Sequence, residues 1–361
     1  MWLPVRDAIM KCNLLYLIGV VLMLFFFTSA AGESSEPISE EVTWSINGTE
    51  VYATITRTSS SKPRSAVVFV AGSGPTDRDW NSPLLPGNNG SAKLFARELS
   101  REGYVTLRYD KRVSGPHASE NFTYLFGKIS LQSHLEELAG AVDLLVSLPY
   151  VDPARVFVLT SSEGAVHALN YQTQTETIKF AGLILTGAPG RTIAQVAHTQ
   201  IEAALAPLPN SEDLMALYNK TIEDFLAEKP VKIDPSFPQE VQMLLQSLIT
   251  PANLPFSREL WTVDIKGWLQ KVEAPVLIII GKKDIQTDWQ LDGEALEQAT
   301  ENRDNVSIIY PENANHILKY EEKPREKLGP ADILTYNAPD RVLDPEALSV
   351  IKSWLGDHIK K

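Results

Sequence analysis

Continuous apolar runs alternate along most of the chain with segments whose apolar residues recur at helical spacing. Ala66-Val67-Val68-Phe69-Val70, Tyr104 to Tyr109, Arg155 to Leu159, Phe180 to Leu185, Pro275 to Ile280 and Val306 to Tyr310 are short and largely apolar. Such runs lack the alternation of a half-solvated strand, so they predict strands buried on both faces, as in a parallel sheet. Between them, Leu94, Phe95 and Leu99 follow Ser91, and Leu131, Leu135, Leu138, Val142 and Leu145 surround Ser133-x-x-Glu136. Near the end, Leu348, Ile351 and Leu355 follow Asp344-Pro345. Each segment carries a helix-start signal: a serine cap at Ser91, a capping box at Ser133 and Glu136, and an aspartate cap with proline at the first helical position. Strand, helix, strand, repeated, predicts one α/β domain with a mostly parallel, doubly wound sheet.

Two stretches depart from that rhythm. Glu41 to Trp44 and Val51 to Thr56 flank Asn47-Gly48, the dipeptide suited to a two-residue hairpin turn, and predict an antiparallel pair. From Arg191 to Lys271 the strand-like runs stop. There Ile193, Val196, Ile201 and Leu205 share a helical face, and prolines such as Pro207 and Pro235 punctuate the segment. Residues 191–271 therefore read as a helical cap inserted before the strand at Pro275. Its apolar residues Ile201, Leu205, Phe225, Met243, Leu244 and Leu248 are expected to roof a pocket suited to short or medium acyl groups.

The beginning of the chain is of another kind. Arg6 and Lys11 precede the apolar run Leu14 to Phe27, which ends in Thr28-Ser29-Ala30-Ala31-Gly32. Residues 1–31 read as a secretory signal peptide, leaving residues 32–361 as a soluble exported protein, periplasmic or extracellular. Uncleaved, the same segment would anchor the chain in a membrane. Cys12, the single cysteine, lies within it, so no disulfide is expected in the mature chain. A 361-residue chain that is 44% hydrophobic can bury a large core, and its formal net charge of −12 without a Lys/Arg run argues against a nucleic-acid partner.

Candidate chemistry gathers at Arg155 to Val166, where an apolar strand runs through Thr160-Ser161-Ser162-Glu163-Gly164 into a helix. This is the layout of a nucleophile elbow, a strained turn that needs small residues two positions either side of the nucleophile. Ser161 is flanked by Leu159 and Glu163, Ser162 by Thr160 and Gly164, so Ser162 is the candidate. In open parallel sheets ligands meet the loops beyond the strands' carboxyl ends. Asp284 and His316 follow two such strands, and the order Ser, Asp, His is that of an α/β-hydrolase. A serine hydroxyl needs a histidine to take its proton and a carboxylate to orient the imidazole. Asp288 lies close enough in sequence to compete with Asp284. The amides of Ser73, after the strand ending at Val70, and of Glu163, after Ser162, are the candidate oxyanion hole. This chemistry calls for no metal and no organic cofactor.

At these residues the chain resembles the bacterial exported esterases of the α/β-hydrolase superfamily. The likeness rests on Gly72-Ser73-Gly74-Pro75-Thr76-Asp77-Arg78-Asp79, Arg108-Tyr109-Asp110-Lys111-Arg112, Ser162-Glu163-Gly164, Gly281-x-x-Asp284-x-Gln286 and Asn315-His316. It departs from that pattern at the elbow, where Thr160, Ser161 and Ala165 stand in a motif that usually reads Gly-His-Ser-Glu-Gly-Gly. The resemblance implies a serine carboxylesterase acting on a small-molecule ester through an acyl-enzyme. The same apparatus would serve a peptidase or an acyltransferase, and the altered elbow leaves an inactive binding protein as a reading from a different class. Asp77, Arg78, Asp110 and Arg112 either line the entrance or pair with other charges to set loop shape.

Overall fold

The computed structural model describes residues 36–359. The segment 1–31 and Cys12 lie outside them, and among the described residues no helix is long and apolar enough to cross a membrane.

The chain opens with strands β1 (Ile38–Ile46) and β2 (Thr49–Arg57), joined at Asn47 (φ 49°) and Gly48 (φ 82°). Two successive left-handed residues are what a type I′ hairpin turn requires. Strand β3 (Arg64–Val70) leads to helix α1 (Ser91–Arg101), β4 (Val105–Tyr109), α2 (Ala118–Leu125) and α3 (Leu131–Ser147). Then follow β5 (Val151–Ser161), α4 (Gly164–Gln174) and β6 (Gly182–Thr186). Five helices come before the next strand: α5 (Ile193–Leu205), α6 (Ser211–Leu226), α7 (Gln239–Leu248), α8 (Leu254–Thr262) and α9 (Ile265–Lys271). The chain continues with β7 (Val276–Ile279), α10 (Leu291–Ala299), β8 (Val306–Ile309), the short α11 (Pro330–Ile333) and α12 (Pro345–Ile359).

The strands form a single sheet in the order β1-β2-β4-β3-β5-β6-β7-β8. The first two are antiparallel to their neighbours, and every pairing from β4 to β8 is parallel. Strand β3 shows why the apolar runs are continuous. Ala66, Val68 and Val70 belong to the core on one face of the sheet, with α3 and α4, whereas Val67 and Phe69 belong to the core on the other, with α1 and α12. Both faces are covered, so both alternating sets of side chains are apolar.

Two helix starts differ from the sequence expectation. Helix α3 begins one turn earlier than Ser133: Ser130 is its cap, its hydroxyl accepting from Ser133 N (3.1 Å) while Ser133 Oγ accepts from Ser130 N (2.9 Å). A serine at the third position can close this reciprocal box, so Glu136 is not needed for it. Helix α1 is capped by Gly90 rather than Ser91, and position 90 admits only glycine, since a side chain there would collide with the Asp79 carbonyl.

Helices α5 to α8 share a core of their own, with Leu205, Tyr218, Phe225, Val241 and Trp261 buried together. Helix α9 does not join it; Ile265 and Leu269 pack into the core beneath the sheet.

Candidate active site

All the strands that carry candidate residues run parallel, so their carboxyl ends share one edge of the sheet. At the end of β5, Ser161 still pairs with Thr186 of β6, and the chain then turns at Ser162, which has φ 52°. A serine in the left-handed region is strained, and such strain persists only where its surroundings impose it. Here Ser162 N donates to Thr186 O (2.7 Å), and a Cβ on Gly164 would come within 2.5 Å of Val70 O, so only glycine fits where the new helix crosses β3. Thr160, two residues before the serine, is fully buried, and its Oγ1 donates to Ile184 O of β6 at 3.4 Å. The turn thus accommodates threonine by engaging the neighbouring strand.

Asp284 and His316 arrive from adjacent strand ends. Asp284 is fully buried in the turn after β7, where its Oδ1 accepts from Gln286 N (2.7 Å) and Thr287 N (2.9 Å). Its Oδ2 lies 2.7 Å from His316 Nδ1. A carboxylate only accepts, so Nδ1 carries the proton and Nε2 is left as the basic nitrogen. After β8, Asn315 shapes the loop that presents His316, its Oδ1 accepting from Ile317 N (3.2 Å) and Lys319 N (2.9 Å). The two loops touch so closely that a side chain on Gly281 would collide with the Ala314 carbonyl. Gly187, with φ 56°, leaves the imidazole its place, since a Cβ there would sit 3.1 Å from His316 Cε1. Asp288 is occupied elsewhere: its Oδ1 accepts from Gln290 N and Leu291 N at the start of α10, and its Oδ2 pairs with Arg325 at 3.0 Å.

Ser162 and His316 line one cleft of about 260 Å³, together with Ser73. Gly72, just before Ser73, packs against the elbow; a Cβ there would be 3.1 Å from Ser161 O and 3.3 Å from Ser162 Cβ. Glu163 caps α4, so its N–H is among those a helix start leaves without an intrahelical acceptor. The Glu163 side chain turns inward, with Oε1 3.1 Å from His167 Nε2 and 3.4 Å from Lys111 Nζ. Lys111 Nζ also donates to Gly72 O at 2.7 Å.

This buried charged layer beneath the elbow was not foreseen in the sequence. It continues through His134, whose ring centroid is 4.5 Å from that of His167, to Glu137 (2.8 Å from His134 Nδ1) and Arg112 (2.9 Å from Glu137). Burial alone would raise the Glu137 carboxyl, but His134 and Arg112 outweigh it and hold it at about 2. Burial would likewise raise Glu163, yet Lys111 and His167 hold it well below the ordinary carboxylate range. Burial, helped by His134, pushes the His167 imidazole down to about 4. The charged motif residues nearby are all paired. Arg78 binds Asp110 (2.8 Å), Asp79 meets Arg108, Asp77 Oδ1 accepts from Asp79 N (2.9 Å) and Asn81 N (2.8 Å), and Arg112 binds Glu137.

The apolar lining of the cleft corrects one expectation. It comes from Trp80, Leu84 and Leu85 and from Ile317, Ile333 and Tyr336, with nothing from residues 191–271. Of the expected roof residues, Ile201, Leu205, Phe225 and Leu248 are buried in the core that α5 to α8 share, and Met243 is 64% exposed.

No family profile matches the sequence. Esterase EstD of Thermotoga maritima is 26% identical over 309 residues, which are 83% of this chain and 66% of EstD, so the chain spans just under two thirds of that relative. Among solved structures, Est1E from Butyrivibrio proteoclasticus with ferulic acid bound superposes with a TM-score of 0.54, at 14% identity over 89% of this chain and 100% of Est1E. The chain has the α/β-hydrolase fold. The Pyrococcus furiosus esterase Pf2001 agrees, with a TM-score of 0.51 and 16% identity over 89% of this chain and 90% of its own. In this fold the antiparallel β1 and β2 form one edge, and α5 to α9 are inserted between β6 and the strand that precedes Asp284.

Proposed function

We propose that the protein is a serine hydrolase that cleaves carboxylic esters of small molecules, with Ser162 as nucleophile, His316 as base and Asp284 as its orienting partner. One observation carries the reading: the buried Asp284 Oδ2 engages His316 Nδ1 at 2.7 Å in the cleft that holds Ser162 at φ 52°. Similarity to an esterase supports the same class of reaction.

On this reading Ser162 Oγ attacks the ester carbonyl carbon while its proton passes to His316 Nε2. The negative charge moves to the carbonyl oxygen, where the Ser73 and Glu163 amides receive it. Collapse breaks the bond to the alcohol, which departs with the proton from His316 and leaves an acyl-enzyme on Ser162. Water then attacks the acyl carbon, giving its proton to His316, and the acid leaves as the Ser162 hydroxyl is restored. A cleft of about 260 Å³ suits short to medium acyl groups, below the ~300–1,000 Å³ of pockets for larger ligands. The signal-like segment 1–31 supports export of the chain, which N-terminal sequencing of the secreted form tests.

The deciding experiment is labelling by a fluorophosphonate probe together with turnover of p-nitrophenyl esters and aminoacyl p-nitroanilides. Wild type and Ser161→Ala should be labelled, and Ser162→Ala should not, with ester turnover lowered about 10⁴-fold or more. A wild type that is neither labelled nor active on any ester overturns the proposal, and preference for the anilides would make the enzyme a peptidase instead.

A further inference from the structure

Thr287 is buried, does not line the cleft and takes no part in the steps described above. Its two polar groups nevertheless reach two different parts of the site. Its N–H donates to Asp284 Oδ1 at 2.9 Å, and its Oγ1 donates to Gly187 O at 3.0 Å, across 100 positions of sequence.

Gly187 stands where the nucleophile and the base share a support. Thr186, the last residue of β6, accepts from Ser162 N at 2.7 Å. Gly187 follows it with φ 56° and lies against the imidazole: a Cβ there would be 3.1 Å from His316 Cε1 and 3.2 Å from Nδ1, the nitrogen that faces Asp284. The Gly187 N–H is fixed to the sheet by Ile279 O at 2.8 Å. Its outgoing carbonyl is another matter, because a glycine past the end of a strand turns freely unless that group is held. The Thr287 hydroxyl holds it.

A second tie between the same two segments lies further from the imidazole. Asp292 is fully buried; its Oδ1 accepts from Gly190 N and Arg191 N at 3.1 Å each, and its Oδ2 accepts from Asp288 N at 3.0 Å. A pair with the Arg191 guanidinium at 2.9 Å completes this latch. The latch keeps the turn after β6 docked on the acid loop without help from Thr287. What the threonine fixes is the spacing between the Gly187 peptide and the Asp284 carboxylate, the two groups that flank His316 Nδ1.

We propose that Thr287 is a positioning residue for the base: one residue holds the Gly187 carbonyl by its hydroxyl and the Asp284 carboxylate by its amide, and so confines the His316 imidazole between them. This rests on the hydrolase reading above and adds a residue to its machinery. With the hydroxyl gone, the Gly187 peptide is free to back away and the ring to tilt while it keeps its bond to Asp284. The displacement is then felt at Nε2, on the far side of the ring, where a misplacement of about 1 Å costs on the order of 10²-fold in rate.

The test compares four variants of the full chain with wild type on p-nitrophenyl acetate. Fluorophosphonate labelling, run to completion, counts the folded and reactive sites, so that unfolded protein does not enter kcat. Thr287→Val keeps the side-chain shape and loses the hydroxyl; it should lower kcat and kcat/KM together by about 10–100-fold, the mark of an interaction that serves the transition state rather than substrate binding. Thr287→Ala, whose gap admits a water to the Gly187 carbonyl and so spares folding, should show the same loss, since a loose water does not fix the peptide. Thr287→Ser should return kcat to within about threefold of wild type. Thr221→Val removes a similarly buried hydroxyl from the cap, where Oγ1 donates to Leu217 O at 2.8 Å, and should leave kcat unchanged. If Thr287→Ala or Thr287→Val kept kcat per labelled site within about twofold of wild type, or if Thr287→Ser were as slow as Thr287→Val, the hydroxyl would only be pairing a buried carbonyl and the positioning role would be overturned alone. A wild type neither labelled nor active on any ester would overturn the hydrolase reading and this role with it.

Discussion

Replacing Lys111 by methionine should lower both the stability of the protein and its rate, and the two effects have separate origins. Lys111 is buried, with Nζ 2.7 Å from Gly72 O and 3.4 Å from Glu163 Oε1. Across a trans peptide the C=O and the following N–H point in opposite directions. An ammonium that holds the Gly72 carbonyl inward therefore holds the Ser73 N–H outward, on the side of the cleft. The gross attraction between unit charges 3.4 Å apart is about 5 kcal/mol at an effective dielectric of about 20. Desolvation of both groups offsets much of it, but removing one partner strands the other, at a cost of about 3–5 kcal/mol. Glu163 retains His167 at 3.1 Å and can take up a proton, so the lower end, about 3 kcal/mol, is expected in urea unfolding. The kinetic effect is independent of this. With Gly72 O released, the Ser73 amide loses its fixed aim, and misplacing one oxyanion donor costs about 10²–10³ in kcat. KM for a p-nitrophenyl ester should change little, whereas affinity for a trifluoromethyl ketone, which mimics the tetrahedral adduct, should fall with kcat. If Lys111→Met lost stability but kept kcat within about twofold, the lysine would be only a structural counter-ion and the peptide-plane reasoning would be wrong.

Two more outcomes follow from the site. Asp284→Asn should lower kcat by about 10³–10⁴, since an amide no longer enforces the Nδ1–H tautomer of His316, while Asp288→Asn, whose amide oxygen can still accept at the start of α10, should cost at most about 1 kcal/mol of stability through the partly exposed pair with Arg325 and keep turnover. Stability should fall in acid in two stages: His167, at about 4 when folded against an ordinary 6.5, gives its full contribution above pH 6.5 and loses it as the pH falls toward 4. That stage is worth up to about 3 kcal/mol. Glu137, at about 2 against an ordinary 4.5, then loses its own contribution below pH 4.5. Thermal unfolding between pH 4 and 8 measures the first stage, which His167→Asn should abolish; an unchanged slope would mean that His167 is not the group responsible.

The sheet could be read from the sequence because burial on both faces leaves an unmistakable trace, as in Ala66 to Val70, whose alternate residues enter two different cores. The elbow could be read because steric demand at two positions is local: Gly164 sits where a single added carbon would meet Val70 O at 2.5 Å. Helix starts were harder. Ser130 and Ser133 are both acceptable caps in isolation, and only the reciprocal bonds between them make Ser130 the cap. Asp284 and Asp288 are likewise equivalent on paper; what separates them is that Asp288 is spent on the first turn of α10 and on Arg325.

The lining of the cleft lay beyond sequence reading for a different reason. It is assembled from Trp80 to Leu85 and from Ile317 to Asn337, segments more than two hundred residues apart and neither of them periodic. The cap does have apolar helical faces, as its periodicity says, but periodicity reports that a face is buried and not against what. In α5 to α8 those faces are buried against one another, with Leu205, Tyr218 and Phe225 at the centre. The charged layer under the elbow was hidden by the same limit. Lys111, Glu163 and Glu137 come from three segments, and each alone reads as a solvated charge. Together they are affordable in the interior because each cation faces a carboxylate or a carbonyl oxygen, with Lys111 bridging Gly72 O and Glu163 and Arg112 bridging Glu137 and Ser133 O. Apolar side chains would have filled that space at less risk to stability. What ions add is direction: Lys111 joins the residue before Ser73 to the residue after Ser162, the two segments whose amides form the proposed oxyanion hole.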